Sequence, residues 1–307
     1  MKLQKQNGNS VILNFAPTGM VPRRQDNPNV PMDPAEIAEQ VHEACQLGIT
    51  VVHIHARQVD GTPSHDAELY ADIIQRIRAF APELVVCVSL SGRLTPDFET
   101  RSAPLRLTGA CKPDMGSLTL SSLNFSRQAS LNSPEMVQRL ASEMLRNGIV
   151  PELEIFDGGM INYARYLIGK GLVQPPCYFN LILGNPATAQ ADPLSLGAMM
   201  AQLPDHCEWA VGGIGRSQTP SLMLGLAAGG GVRIGLEDNL YYDRQCERLA
   251  SNSELLQRTR LLAEQLEREI MTPVEFRRRM GLLPGSGQYG RPAELEGAGP
   301  NRSHGHE

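Results

Sequence analysis

Two histidines separated by one residue, His53 and His55, stand in the apolar run Val51-Val52-His53-Ile54-His55-Ala56-Arg57. Alternate side chains of a strand share a face, so both imidazoles can reach one ion. The spacing alone is weak: His304 and His306 repeat it in a Gly- and Pro-containing C-terminal stretch that has no strand to orient them. An open zinc site takes two histidines and one carboxylate and leaves a fourth position for water or a substrate oxygen. Glu237 is the acid that fits, because Arg233, Gly235 and Glu237 alternate onto one face of a predicted strand Val232–Leu236 and its continuation. The plainer alternative is that Glu237 and Asp238 only ion-pair with Arg233 at a rim.

Other polar residues end apolar runs in the same way. Ser89-Leu90-Ser91-Gly92-Arg93, Ser117-Leu118-Thr119 and Glu152-Leu153-Glu154 each follow or close such a run. Hydroxyls in strands usually bond to backbone. Opposite a Lewis-acidic metal, Ser89 and Ser117 are placed to hold a carboxylate, and Glu154 to orient a donor or act as an acid or base. Gly212-Gly213-Ile214-Gly215-Arg216 offers backbone N–H groups beside one arginine, a place for a phosphorylated ligand or a plain tight turn. Gly229-Gly230-Gly231 precedes its strand, which puts it at the opposite end and rules it out as a phosphate cradle.

The elements that must position these residues repeat with one period. Strands are expected at 11–15, 49–55, 84–89, 115–118, 151–156, 178–183, 209–212 and 232–236, with the segment between Gly92 and Pro113 unassigned. Helices between them carry start signals such as Asp33-Pro34-Ala35-Glu36, Ser64-x-Asp66 and Ser133-Pro134-Glu135. Eight strands alternating with helices predict an α/β fold, a (β/α)8 TIM barrel with extra C-terminal helices at 252–270 and 273–280. Residues 1–284 read as one catalytic domain and 285–307 as a flexible tail. In such a barrel the chemistry sits at the C-terminal strand ends, where the residues above converge.

Composition limits the partners. The chain of 307 residues has a net charge of -5, which leaves no electrostatic footprint for nucleic acid. No stretch is apolar enough to span a membrane, and residues 1–10 have no apolar signal core. The six cysteines are scattered without a C-x-x-C pair and read as reduced core residues of a cytoplasmic protein.

Assembled in order, the motifs resemble the β-keto acid cleavage enzymes. They are P-T-G at 17–19, V-H-I-H at 52–55, G-x-P-S at 61–64, S-x-S-G at 89–92 and P-D-M-G-S-L at 113–118. P-E-L-E at 151–154, G-G-I-G-R at 212–216 and R-x-G-x-E-D-N at 233–239 complete the set. The resemblance implies a zinc-dependent condensation of a β-keto acid with acetyl-CoA as cosubstrate, cleaved to acetoacetate and a new acyl-CoA. It implies zinc ligands at His53, His55 and Glu237, and a base at Asp238 assisted by Arg233, whose charge is expected to keep that carboxylate ionised. It further implies carboxylate-holding positions at Ser89, Gly92 and Ser117, with Thr119 beside them, and an active-site acid at Glu154. A homotetramer is implied as well. Arg216, with Gly213 and Gly215, is the expected contact for the coenzyme A phosphates. Members acting on an amino-keto acid carry glutamate two residues after T-G, where this chain has Val21. An uncharged or anionic acid is therefore expected, with Arg23, Arg24 or Arg93 as partners for an anion, unless these arginines are only a solvated loop. The rival enzyme class is a zinc-dependent aldolase or hydrolase that uses the same rim without coenzyme A.

Overall fold

A computed structural model describes residues 9–292 of the chain. Its centre is a closed barrel of eight parallel strands in sequence order. These are β1 (Leu13–Phe15), β2 (Val51–Ile54), β3 (Val85–Val88), β4 (Met115–Thr119), β5 (Val150–Ile155), β6 (Cys177–Leu183), β7 (Cys207–Gly213) and β8 (Gly231–Ile234). The helices are α1 (Pro34–Gln46), α2 (Ala67–Phe80), α3 (Phe98–Ser102), α4 (Pro134–Arg146), α5 (Gly158–Gly169), α6 (Pro193–Met200), α7 (Gln218–Ala227), α8 (Asn252–Gln265) and α9 (Pro273–Met280). The barrel strands are buried along nearly their whole length, as a parallel sheet covered by helices requires.

The helix starts follow from local chemistry. The Asp33, Asp66 and Ser133 side chains accept from the Glu36, Glu68 and Met136 amides and so cap α1, α2 and α4. Ser251 and Glu254 form a reciprocal capping box on α8.

Several expectations need correction. The unassigned segment after Gly92 holds α3 and two 3-10 turns, Ala103–Arg106 and Gly109–Cys111. The helix expected over 252–270 ends at Gln265, because the chain reverses at Glu267, whose φ is 55°, and Glu269–Ile270 pairs in parallel with Ser10–Val11. None of the six cysteines is in a disulfide, and only Cys87, Cys177 and Cys207 are buried.

The expected flexible tail begins too early. Gly285, Tyr289 and Gly290 are buried at the N-terminal end of the barrel: Tyr289 lies against the Arg78 guanidinium, and the Gly290 amide donates to Asp114 at 3.0 Å. Asp114 also receives Arg78 at 2.6 Å and Arg277 at 2.7 and 2.9 Å, which ties α2, α9 and the 285–292 segment to the start of β4. His304 and His306 lie outside the described residues. Among the described residues no helix is long and apolar enough to cross a membrane.

Candidate metal centre

His53 is on β2 and His55 immediately follows it, and their Nε2 atoms are 3.1 Å apart. Glu237 Oε1 lies 3.1 Å from His55 Nε2 and 3.9 Å from His53 Nε2. Donors held tetrahedrally at about 2.0–2.1 Å from one zinc ion are about 3.3 Å apart. The observed spacings bracket that value. Two bare imidazole nitrogens and a carboxylate oxygen repel one another unless a proton or a cation lies between them. The second carboxylate oxygen, Glu237 Oε2, is buried with no hydrogen-bond partner, an orphan acceptor of the kind a cation satisfies. The residues present therefore fit a divalent metal.

Glu237 does not reach this place by strand alternation. β8 ends at Ile234, and Gly235 adopts φ 151°, where a Cβ would stand 1.9 Å from the Ala16 carbonyl oxygen. This turn carries Glu237 to the two histidines, and its amide bonds back to the Ala16 carbonyl at 3.2 Å. Gly19, with φ 68°, packs against the Glu237 side chain so closely that a Cβ would come within 2.6 Å of Cγ. Arg57 fixes that approach by donating to the Gly19 and Pro22 carbonyls at 2.5 and 2.8 Å.

Behind the histidines lies Glu152, fully buried on β5. A carboxylate only accepts, so His53 Nδ1 donates to Glu152 Oε2, at 2.5 Å, and Nε2 is the ring atom turned toward the site. Asn14 and Asn180 donate to the other oxygen at 2.5 and 3.1 Å, and the Cys87 thiol lies 3.3 Å from Oε2. Burial opposes the charge on Glu152, but His53, Arg233 and the Asn14 hydrogen bond together outweigh it and bring the carboxyl down to about 2. His53, Cys87 and Glu152 form a second cluster of potential ligands, yet their polar atoms already bond one another and the cluster is closed.

Arg233 organises the acids. Its Nη2 is 2.6 Å from Glu237, its Nε 2.8 Å from Asp238, and its Nη1 3.8 Å from Glu154. Nη1 is buried and has no hydrogen-bond partner. Burial resists the charge of Glu237, but Arg233, then His55 and His53, hold it well below the usual range. Arg233 also favours the charged form of Asp238. Burial and the neighbouring Glu237 charge raise it despite the arginine, so it binds a proton more readily than a free carboxylate does. Glu154 is also raised by burial, and its Oε2 accepts from Thr119 at 2.6 Å. His55, Thr119, Glu154, Arg233, Glu237 and Asp238 line a cavity of about 1540 Å³ at the C-terminal end of the barrel.

The sequence model of the β-keto acid cleavage enzymes matches residues 10–282. The chain belongs to this family. It is 34% identical over 274 residues to the 3-keto-5-aminohexanoate cleavage enzyme of Fusobacterium nucleatum, covering 89% of this chain and 98% of that protein. It is 34% identical over 275 residues to the 3-oxoadipate:acetyl-CoA acetyltransferase of Cupriavidus necator, covering 88% and 94%. In fold it is similar to apo ObcA, with a TM-score of 0.70 and 19% identity over 83% of this chain and 66% of that one.

In this β-keto acid cleavage family member, the fold brings together His53, His55, Glu154, Arg233, Glu237 and Asp238, with Ser89 and Thr119 on the cavity wall. Other expected contacts lie elsewhere. The Ser117 hydroxyl accepts the Leu90 amide at 3.1 Å beneath the cavity floor, and Gly92 packs against the Leu131 carbonyl, which a Cβ would approach to 2.3 Å. The Gly215 amide donates to the Asp238 carbonyl at 2.7 Å, so it fixes Asp238 instead of facing a ligand. Gly213 is packed tightly on Ser217, while Arg216 is exposed at the cavity mouth. Arg24 forms a bidentate pair with Glu36 at 2.7 and 2.8 Å, as a solvated loop residue would. Glu152 was missed. The alternation Glu152-x-Glu154 was the available signal, since it sends both acids to the same barrel face.

Proposed function

We propose that the chain holds zinc at His53, His55 and Glu237 and transfers an acyl group between a β-keto acid and acetyl-CoA, giving acetoacetate and a new acyl-CoA. The observation that carries this reading is the convergence of three ligand atoms beside a raised, arginine-held carboxylate. Bound there, zinc would act as a Lewis acid on the keto and carboxylate oxygens and make the α proton more acidic. Asp238 takes that proton from the carbon between the carboxylate and the ketone, a task its raised proton affinity suits. Arg233 aims Asp238 through Nε, and its free Nη1 is available to the oxygen on which charge develops. The α carbon bonds to the acetyl carbonyl carbon as the coenzyme A thiolate leaves. The thiolate then attacks the original keto carbon, the bond between that carbon and the α carbon breaks, and Asp238 returns the proton to acetoacetate. Thr119 and Glu154 hold the substrate, with Ser89 on the carboxylate. The exposed Arg216 is assigned to the coenzyme A phosphates. The reading includes a cytoplasmic homotetramer, which light scattering after size exclusion checks.

The test is to mix the purified protein with acetyl-CoA and a panel of β-keto acids and measure acetoacetate. Product from at least one acid supports the reading. Stoichiometric zinc with no product from any acid contradicts it.

A further inference from the structure

The arginines lining the cavity fall into three groups. Arg24, Arg57 and Arg233 are engaged by Glu36, by backbone carbonyls and by the site acids. Arg23, Arg127 and Arg216 are exposed at the mouth. Arg93 differs from both. It is half-buried, and among the described residues its guanidinium has neither an ion pair nor a side-chain hydrogen bond.

Arg93 is nevertheless held in place. Its guanidinium carbon lies 3.5 Å from the centroid of Phe125, which packs edge-on at 5.5 Å and 89° against the buried Phe156. Phe125 sits in the turn of a short hairpin, Leu123–Asn124 with Ala129–Ser130, closed by its amide bonding the Gln128 carbonyl at 2.9 Å. A guanidinium stacked on a ring keeps its N–H groups in the ring-parallel plane, pointing outward and free. Such a fork matches a carboxylate, which it binds through two parallel hydrogen bonds. The Glu237, Glu154 and Asp238 charges all act on Arg93, which places it in the same electrostatic field as the metal centre. Those acids would repel an anionic side group unless a cation met it. Val21, 45% exposed, lines the same cavity and cannot pair with an ammonium group.

Resting on the acyl-transfer reading above, we propose that Arg93, stacked on Phe125, is the specificity-determining residue for the far end of the β-keto acid, and that it selects a second carboxylate. The favoured substrates are then β-keto diacids.

The test compares 3-oxoadipate with 3-oxohexanoate, which differ only in carrying a carboxylate or a methyl group at the far end. Binding to the zinc-loaded protein is measured by calorimetry without acetyl-CoA. The native protein is expected to bind the diacid roughly 10–100-fold more tightly, the range for a charge-assisted pair. Arg93→Gln brings the ratio of the two Kd values to within about threefold, and Arg93→Lys leaves an intermediate ratio because it keeps charge but not the fork. Zinc content and thermal unfolding check that each variant folds, and Arg93→Lys alone decides the matter if the glutamine variant does not. A native ratio near one, or a ratio that survives either substitution, overturns the proposal. So does a KM for acetyl-CoA that rises in place of the diacid term, which would assign Arg93 to a coenzyme A phosphate. Because binding needs no turnover, the two ideas fail separately. Diacid preference without acetoacetate formation sinks the acyl-transfer reading, whereas acetoacetate formation without diacid preference sinks only the role of Arg93.

Discussion

Replacing Glu152 by glutamine should weaken zinc binding without unfolding the barrel. Glu152 is fully buried, and its Oε2 accepts a hydrogen bond from His53 Nδ1 at 2.5 Å, which fixes the ring with Nε2 turned toward the site. Losing the carboxylate behind a ligating histidine commonly costs 10–100-fold in metal affinity, about 1.4–2.7 kcal/mol. The other side of Glu152 is tolerant of the change. Asn14 and Asn180 donate to Oε1, but the Oδ1 of each has no partner, so both amides can turn to accept from a glutamine NH₂ group. The loss is then confined to the negative charge behind His53, and we expect about 30-fold weaker zinc binding. Competition with a chromophoric chelator at fixed pH measures it. An affinity within about threefold of native would refute the reasoning.

Three further outcomes follow from the same geometry. His53→Ala should lose both metal and turnover, whereas Asp238→Asn keeps metal by elemental analysis and loses turnover by about 10²–10⁴, the range for a general base. Arg277→Met should cost about 3–5 kcal/mol in urea unfolding, since it strips a buried Asp114 of two bonds, while turnover stays native because the pair lies at the far end of the barrel. Burial pushes His65 down to about 4, with its Nε2–H donating to the Ser91 carbonyl at 3.1 Å. Protonation therefore favours the unfolded chain: the contribution of His65 to stability is complete above pH 6.5 and is lost as pH falls from there to about 4, by about 3 kcal/mol at most. Denaturation of native protein and His65→Gln across that window should show the two stabilities converging as the pH falls; curves that run parallel speak against it.

The barrel was legible because burial on both faces makes parallel strands continuous apolar runs, and because Asp33, Asp66 and Ser133 mark helix starts through bonds that form within four residues. His53 and His55 were legible for the same local reason, the period of a strand. Glu237 was chosen correctly as a member of the cluster but for the wrong geometry, since a turn at Gly235 delivers it and φ is not written in residue types alone. The bonds that Ser117 accepts from the Leu90 amide and that the Gly215 amide donates to the Asp238 carbonyl were not legible, because those partners are remote in sequence. Glu152 escaped because its importance lies in four donors from four other strands, a convergence that only closure of the barrel creates.

The central claim is acyl transfer at this metal centre, and an isotope label tests it most directly. Acetyl-CoA labelled with ¹³C in both acetyl carbons is given to the zinc-loaded protein with a β-keto acid that it consumes, and the products are read by mass spectrometry. The account predicts acetoacetate carrying both labelled carbons and an unlabelled new acyl-CoA, with both products absent from the Asp238→Asn protein. Unlabelled acetoacetate, a label in the new acyl-CoA, or consumption of the acid without acetyl-CoA would contradict it.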